Sequence, residues 1–176
     1  MPMQHLDSEK IVEAIVYIAG RLKPKHSTIY TALKILYFAD KIHLNEYGRL
    51  ITGDQYVAMK NGPVPSASYD IVKAVRGDGY STDSAHAVSS FNVTEKYRIT
   101  PLREVDLDLF SDSEIECLNR VIEEDGEKSF GELKNKSHDD SFNSADENDF
   151  ISLESIVKTL PNSDLLLEHL ADPFPG

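Results

Sequence analysis

A chain of 176 residues with a formal net charge of −12 is long enough to bury one substantial core, and its single cysteine rules out an internal disulfide or a Cys-rich metal site. The charge is unevenly spread: residues 1–105 hold 13 Lys and Arg against 11 Asp and Glu, a balance of +2, whereas residues 106–176 hold 5 against 19, a balance of −14. That imbalance argues against phosphate-backbone binding by the second part, and suits either a basic partner or a solvated surface that maintains solubility.

The N-terminal MPMQHLDSEK lacks the basic-then-apolar layout of a signal peptide. The most apolar run, IVEAIVYIAG, is interrupted by Glu13 and is too short to span a bilayer, so a cytoplasmic protein is expected.

Taken in chain order, Ile11, Ile15, Ile18 and Leu22 recur at helical spacing and predict a first helix from Asp7 or Ser8 to Leu22, closed off by Pro24. A longer second helix starts after Ser27, carries Ile29, Leu33, Leu36, Tyr37, Ile42 and Leu44, and stops near Gly48. Thr52-Gly53-Asp54 reads as a turn, Gln55 to Lys60 as a short strand, and Asn61-Gly62 as its end. In the following Gly-Pro-Val-Pro the prolines restrict the backbone so that Val64 is extended, with its side chain aimed outward. The motif either forces a sharp strand-to-helix corner or presents a stiff contact loop. Ser66 is expected to cap a third helix to about Arg76, broken by Gly77 and Gly79.

Residues 81–90, small and polar, read as a loop. FNVTEKYRITPLR predicts one or two short strands alongside the strand at 55–60. Ser111 with Glu114, and Ser129 with Glu132, are capping boxes that open a helix to Gly126 and a short helix through Leu133. HDDSFNSADEND reads as a polar loop, DFISLESIVKTLP as a short helix capped by Ser152, and SDLLLEHL as a terminal helix before a Pro-rich end. The expected fold class is α+β: a mostly α-helical single domain with one small antiparallel β-sheet.

Chemistry-bearing motifs are scarce. No Walker loop, G-x-G-x-x-G, G-x-S-x-G or H-E-x-x-H occurs, and no cofactor is implied. Asp40, His43 and Tyr47 fall on one face of the second helix, a pattern that fits a hydrogen-bonded polar patch better than an acid-base pair or half of a metal site, since no second such helix is present. Cys117, among Ile115, Leu118, Val121 and Ile122, reads as a buried inert thiol. His138 follows a short helix whose last carbonyls it can cap. Arg76-Gly77-Asp78 and the sequon Asn92-Val93-Thr94 would need secretion to matter. Tyr37, Phe38, Tyr47, Tyr56, Met59, Val64 and Tyr69 are concentrated between positions 37 and 69, a composition that suits a recognition surface.

The run LKILYFADKIHLNEYGRLITGDQYVAMKNGPVPSASYDIVKAVRGDG, continued through RITPLREVDLDLFSDSEIECLNRVIEEDGEKSFGELKNKSH, resembles the Panacea domain, the SocA-like antitoxin family of toxin-antitoxin systems. Y-F-A-D closing a long helix, a hairpin ending in G-P-V-P-S, and the later S-F-G-E-L and S-H segments carry the resemblance, which covers most of residues 8–158. One departure is Phe142, where members often carry tryptophan. The resemblance implies a domain over residues 1–160, with 161–176 a C-terminal helix and tail of no assigned role. It implies a bacterial or phage antitoxin that neutralises a cognate protein toxin by direct contact and is not an enzyme. Alternatives of the same binding class are an adaptor that delivers a toxin to a cytoplasmic protease, or a phage-encoded inhibitor of a host protein. No helix-turn-helix extension is evident, so nucleic-acid binding is not expected. On the resemblance, Tyr37, Asp40, His43, Tyr56, Lys60, Pro63, Val64, Pro65 and Tyr69 are the candidate partner-binding residues, each one either a contact or a support for the fold, and the acidic half would steer a basic toxin.

Overall fold

The first helix follows its apolar spacing. In the computed structural model, which describes residues 5–82 and 84–171, α1 spans Ser8–Arg21, and the Asp7 side chain accepts from the Lys10 N–H at 3.0 Å. Every residue from Ile11 to Ala19 is buried, Glu13 included, so α1 is enclosed on all sides rather than laid on a surface. α2 spans Ile29–Tyr47, is capped by Thr28, and ends at Gly48, whose φ of 79° is left-handed. Around α2 are packed α1 and, from later in the chain, most of the remaining helices.

Next comes a hairpin. β1 (Tyr56–Met59) pairs antiparallel with β2 (Gly62–Pro65), so the GPVP stretch is itself a strand and runs directly into α3 (Ser66–Arg76). The strand-to-helix corner is formed, and Val64 is half-buried at the surface. Proline has no N–H, so Pro63 and Pro65 occupy the positions of β2 that point away from β1, and the free edge of the strand has no donor at either. The outward carbonyl of Pro63 accepts instead from Lys34 Nζ of α2 at 2.8 Å.

Ser66 does not cap α3. The Asp54 carboxylate does, accepting from the Ala67 N–H at 2.9 Å, the Ser68 N–H at 2.8 Å and the Ser68 hydroxyl at 2.7 Å. Arg76 and Asp78 pair across the glycine turn that ends the helix.

Residues 81–90 are not all loop: α4 (Ser84–Val88) forms because fully buried Ala87 seats one short turn of helix against α1 and α3. β3 (Phe91–Thr94) and β4 (Arg98–Pro101) make a hairpin, but it is a separate two-stranded sheet rather than part of the first. The donor-poor edge of β2 cannot accept another strand readily, and the far side of β1 is taken by β5 (Phe150–Ile151), within a stretch expected to be helical. β4 is fastened elsewhere, with the Ile29 N–H donating to Tyr97 O at 2.8 Å and the Ile99 N–H to Ser27 O at 2.9 Å.

Both capping boxes form, opening α5 (Asp112–Asp125) and α6 (Phe130–Ser137). The expected polar loop contains one helical turn, α7 (Asp140–Asn143), capped by Asp139. α8 (Leu153–Lys158) is capped by Ser152, and α9 (Ser163–Ala171) buries Leu166 and Leu170. The Pro-rich end lies outside the described residues. Cys117 is fully buried, and burial pushes its thiol up to about 11, which leaves it inert at neutral pH. The architecture is α+β, mostly helical, with two small antiparallel sheets. No helix among the described residues is long and apolar enough to cross a membrane.

The long-range cap makes a prediction opposite to the local capping rule. Asp54→Ala leaves buried N–H donors unpaired and should cost about 2 kcal/mol in urea denaturation, whereas Ser66→Ala should cost less than about 0.5 kcal/mol.

Candidate partner-binding site

Four side chains on α2 are at most 1% exposed although all are polar: Lys34, Tyr37, Asp40 and His43. Residues three apart on an α-helix are rotated by about 60°, so these four step round the helix, with Lys34 and His43 about half a turn apart. Each therefore meets a different loop. Lys34 holds the β2 edge at Pro63. Tyr37 donates its hydroxyl to Asp139 Oδ2 at 2.6 Å and lies 2.8 Å from Ser141 Oγ, tying down the segment before α7, which Lys41 also grips through Asp139 at 2.8 Å. Asp40 accepts from the Ile51 N–H at 2.7 Å and the Tyr56 hydroxyl at 2.6 Å.

His43 bonds to Arg49 O at 2.8 Å and to Ser113 Oγ at 2.9 Å. A carbonyl only accepts, so Nδ1 carries the proton, and Nε2 of the neutral ring accepts from the Ser113 hydroxyl. Burial holds the imidazole pKa below its ordinary value, which keeps this tautomer neutral. Asp40 and His43 share no hydrogen bond, and the His43 ring instead stacks on Tyr47 with centroids 4.8 Å apart. An acid-base pair is not assembled here.

Tyr56 joins the buried group, with its ring edge-on to Tyr37 at 5.0 Å. Pro63 and Pro65 are buried as well. Three of the nine candidate residues are placed differently: Lys60, Val64 and Tyr69 line one cleft of about 280 Å³, between the start of α2, the β1–β2 hairpin, α3 and the turn of the β3–β4 hairpin. Its apolar lining includes Leu33, Met59 and Tyr97, while Arg76 and Lys96 add charge at its edge. Tyr30 and Tyr97 also line a second cleft of about 330 Å³ beside it, bounded by Lys25, Lys128 and Phe130. Sequence reasoning missed Tyr30, Arg76, Lys96 and Tyr97, which come from segments remote in the chain. The one available signal was the aromatic within a tight hairpin turn, where Glu95 and Lys96 take positive φ of 55° and 69° and thereby set the direction of Tyr97.

The cleft walls are held firmly. The Tyr30 hydroxyl donates to Asn61 O at 2.8 Å, its ring packs on Phe130 at 4.4 Å, and the Lys34 ammonium lies 4.7 Å from the Tyr30 centroid. Gly62, at φ 122°, sits at the hairpin turn where a Cβ would come within 2.6 Å of Ser137 Oγ. His138 does not turn its ring to the carbonyls of α6. It is the C-cap residue, its backbone N–H bonds to Lys134 O, and its ring stacks on Phe142 at 4.2 Å. Among the described residues, no group of three or more His, Cys, Asp or Glu is placed to hold a metal ion.

Burial pushes the Asp40 carboxyl up to about 7, although the hydrogen bonds from Tyr56 and Ile51 pull the other way. The folded chain thus keeps a proton that the unfolded chain loses from about pH 4 upward. The Asp40 contribution to stability is complete below that pH and is lost as pH rises through about 7. Lys34 has the opposite sign, because burial pulls its amine down to about 7 and the folded state gains relative stability toward alkaline pH. Two measurements check this. Wild type should lose stability relative to Asp40→Asn as pH is raised from about 5 to about 8, since asparagine does not titrate. Gly62→Ala should cost about 2 kcal/mol at any pH in this range, from backbone strain and the close approach to Ser137.

No curated protein and no solved structure matches the chain. The family model described as antitoxin SocA-like, Panacea domain, matches residues 33–142, a span that runs from the start of the α2 stripe through the hairpin to Phe142 and takes in the cleft lining except Ile29 and Tyr30. The chain belongs to the SocA-like antitoxin family, Panacea domain.

Proposed function

We propose that this protein is an antitoxin that neutralises a cognate protein toxin by direct contact in the cytoplasm, without a catalytic step of its own. The observation that carries this reading is how the polar residues of the family segment are employed. Lys34, Tyr37, Asp40, His43 and Tyr56 spend their hydrogen bonds inside the fold, while a rigid aromatic cleft is left at the surface. In this reading Lys60, Val64 and Tyr69 touch the toxin, and Tyr37, Asp40, His43, Tyr56, Pro63 and Pro65 keep the hairpin and α3 in the shape that receives it. A wall fixed before binding loses little conformational entropy on contact, and aromatic side chains suit such surfaces.

The test begins with the reading frame adjacent to the gene, expressed with and without this protein. Growth arrest by the neighbour alone, relieved on co-expression, together with co-purification of the two proteins, is the expected result. A harmless neighbour, or arrest that persists, sinks the proposal. Toxin abundance should remain constant during rescue; a shortened toxin half-life that recovers in cells lacking the protease would replace direct neutralisation with delivery for degradation.

Val64→Asp should weaken the complex by about tenfold or more, beyond any loss due to a lower Tm, and Lys60→Glu, at an exposed position, should do so with Tm unchanged. His43→Gln, which keeps some hydrogen bonding, should lower Tm yet leave toxin affinity of the folded protein unchanged.

A further inference from the structure

We infer that the paired clefts on either side of Tyr30 and Tyr97 accept an acidic segment of the partner protein, anchored by one apolar or aromatic side chain. This deepens the antitoxin reading and rests on it for the partner's identity, but the chemistry is argued from the surface itself. The chain carries a net charge of −12, yet no Asp or Glu lines either cleft among the described residues. Lys34, Lys60, Arg76 and Lys96 line the first, and Lys25, His26 and Lys128 the second.

Two of these cations are already paired, Arg76 with Asp78 and Lys128 with Asp125, and the other nearby carboxylates are engaged as well: Asp70 with Lys73, Glu95 with Arg98, and Glu127 with Lys23. Lys60 and Lys96 are exposed, and neither ammonium has a carboxylate partner among the described residues. They stand on two separate hairpins, with the apolar cleft between. An acidic segment repelled by the acidic second part of the chain is therefore attracted to this surface, where Lys60 and Lys96 stand unpaired by carboxylates among the described residues.

The apolar component of the site is equally specific. Tyr97 is 50% exposed and Phe130 51%, so both rings present apolar surface at the clefts. Tyr97 is fixed through its backbone, with its carbonyl taken by the Ile29 N–H, and Tyr30 is fixed through its hydroxyl. An inserted side chain would meet walls that need no rearrangement.

Aromatic rings beside lysines also suit a nucleotide, and the geometry disfavours it. At the start of α2, where backbone N–H groups would otherwise face a phosphate, Ile29 donates to Tyr97 O and Thr31 to the Thr28 hydroxyl. The two clefts together also form a track better matched to a run of residues than to one compact ligand.

The experiment uses the full chain and fluorescein-labelled peptides read by anisotropy: one of Asp and Glu with a central Phe, its Lys-substituted counterpart, and its uncharged Ser counterpart. Expected are binding of the acidic peptide alone, weakening severalfold when salt is raised from about 50 to about 300 mM, and loss in Lys60→Glu/Lys96→Glu and in Tyr97→Ala at unchanged Tm. Equal binding of the three peptides, binding of none, or an unaltered affinity in the double variant overturns the inference. So does ATP binding that depends on Tyr97 while the acidic peptide does not bind. The toxin supplies a separate arm. If wild type and the double variant bind it equally, the antitoxin reading stands and the cleft assignment falls. If wild type does not bind it at all, the antitoxin reading falls, and the peptides still decide the chemistry of the cleft.

Discussion

Four buried polar groups on one helix, each needing a partner, constrain everything built around α2. A polar side chain withdrawn from water costs several kcal/mol unless its hydrogen bonds are remade, so Lys34, Tyr37, Asp40 and His43 each demand a specific loop at a specific distance. Because they progress round the helix rather than along one face, the four partners lie on different sides: the β2 edge, the segment before α7, the Ile51 and Tyr56 backbone and side chain, and the turn at Arg49 with Ser113 of α5. The hairpin, and with it the cleft, is held by two of these latches. Removing one partner of such a pair costs more than the pair contributes, since the survivor stays buried and unsatisfied.

The second half of the chain is acidic partly because it clamps the first. Glu114 is fully buried and receives Lys10 at 3.0 Å and Arg49 at 2.7 Å. Burial alone would raise its pKa, but the hydrogen bonds from Arg49, the Ser111 N–H and Lys10 hold it below the usual range. Asp139 is lowered the same way by Lys41, Ser141 and Tyr37, and Asp125 holds Lys128 and Lys136 within the second half itself. Several of those carboxylates are thus internal ties rather than a field directed at a partner. The exposed pairs, such as Lys23 with Glu127, contribute little.

How much could be read from the chain follows the range of each interaction. Apolar periodicity and capping boxes act within a few residues, and the helices they mark, α1, α2, α5 and α6, formed where expected. The cap of α3 is not Ser66, as local spacing suggests, because Asp54 acts from thirteen residues away from Ala67. β5 was hidden because two residues pairing with a strand some ninety positions earlier leave no periodic trace. Two sheets formed instead of one for a reason the sequence did contain, since alternate prolines leave β2 short of edge donors. The concentration of aromatics between positions 37 and 69 is visible in the sequence, but sequence does not separate a buried latch from a contact. Tyr37 and Tyr56 went inward, whereas Lys60, Val64 and Tyr69 reached the cleft.

The most direct measurement of the central claim is hydrogen–deuterium exchange of the full chain with and without its bound toxin. The account predicts added protection in residues 59–64, 69–76 and 95–98, the segments that build the cleft, with little change in the interior of α2, whose side chains are already committed. Protection confined to the acidic stretch 106–171, with the cleft segments exchanging as in the free protein, would contradict it.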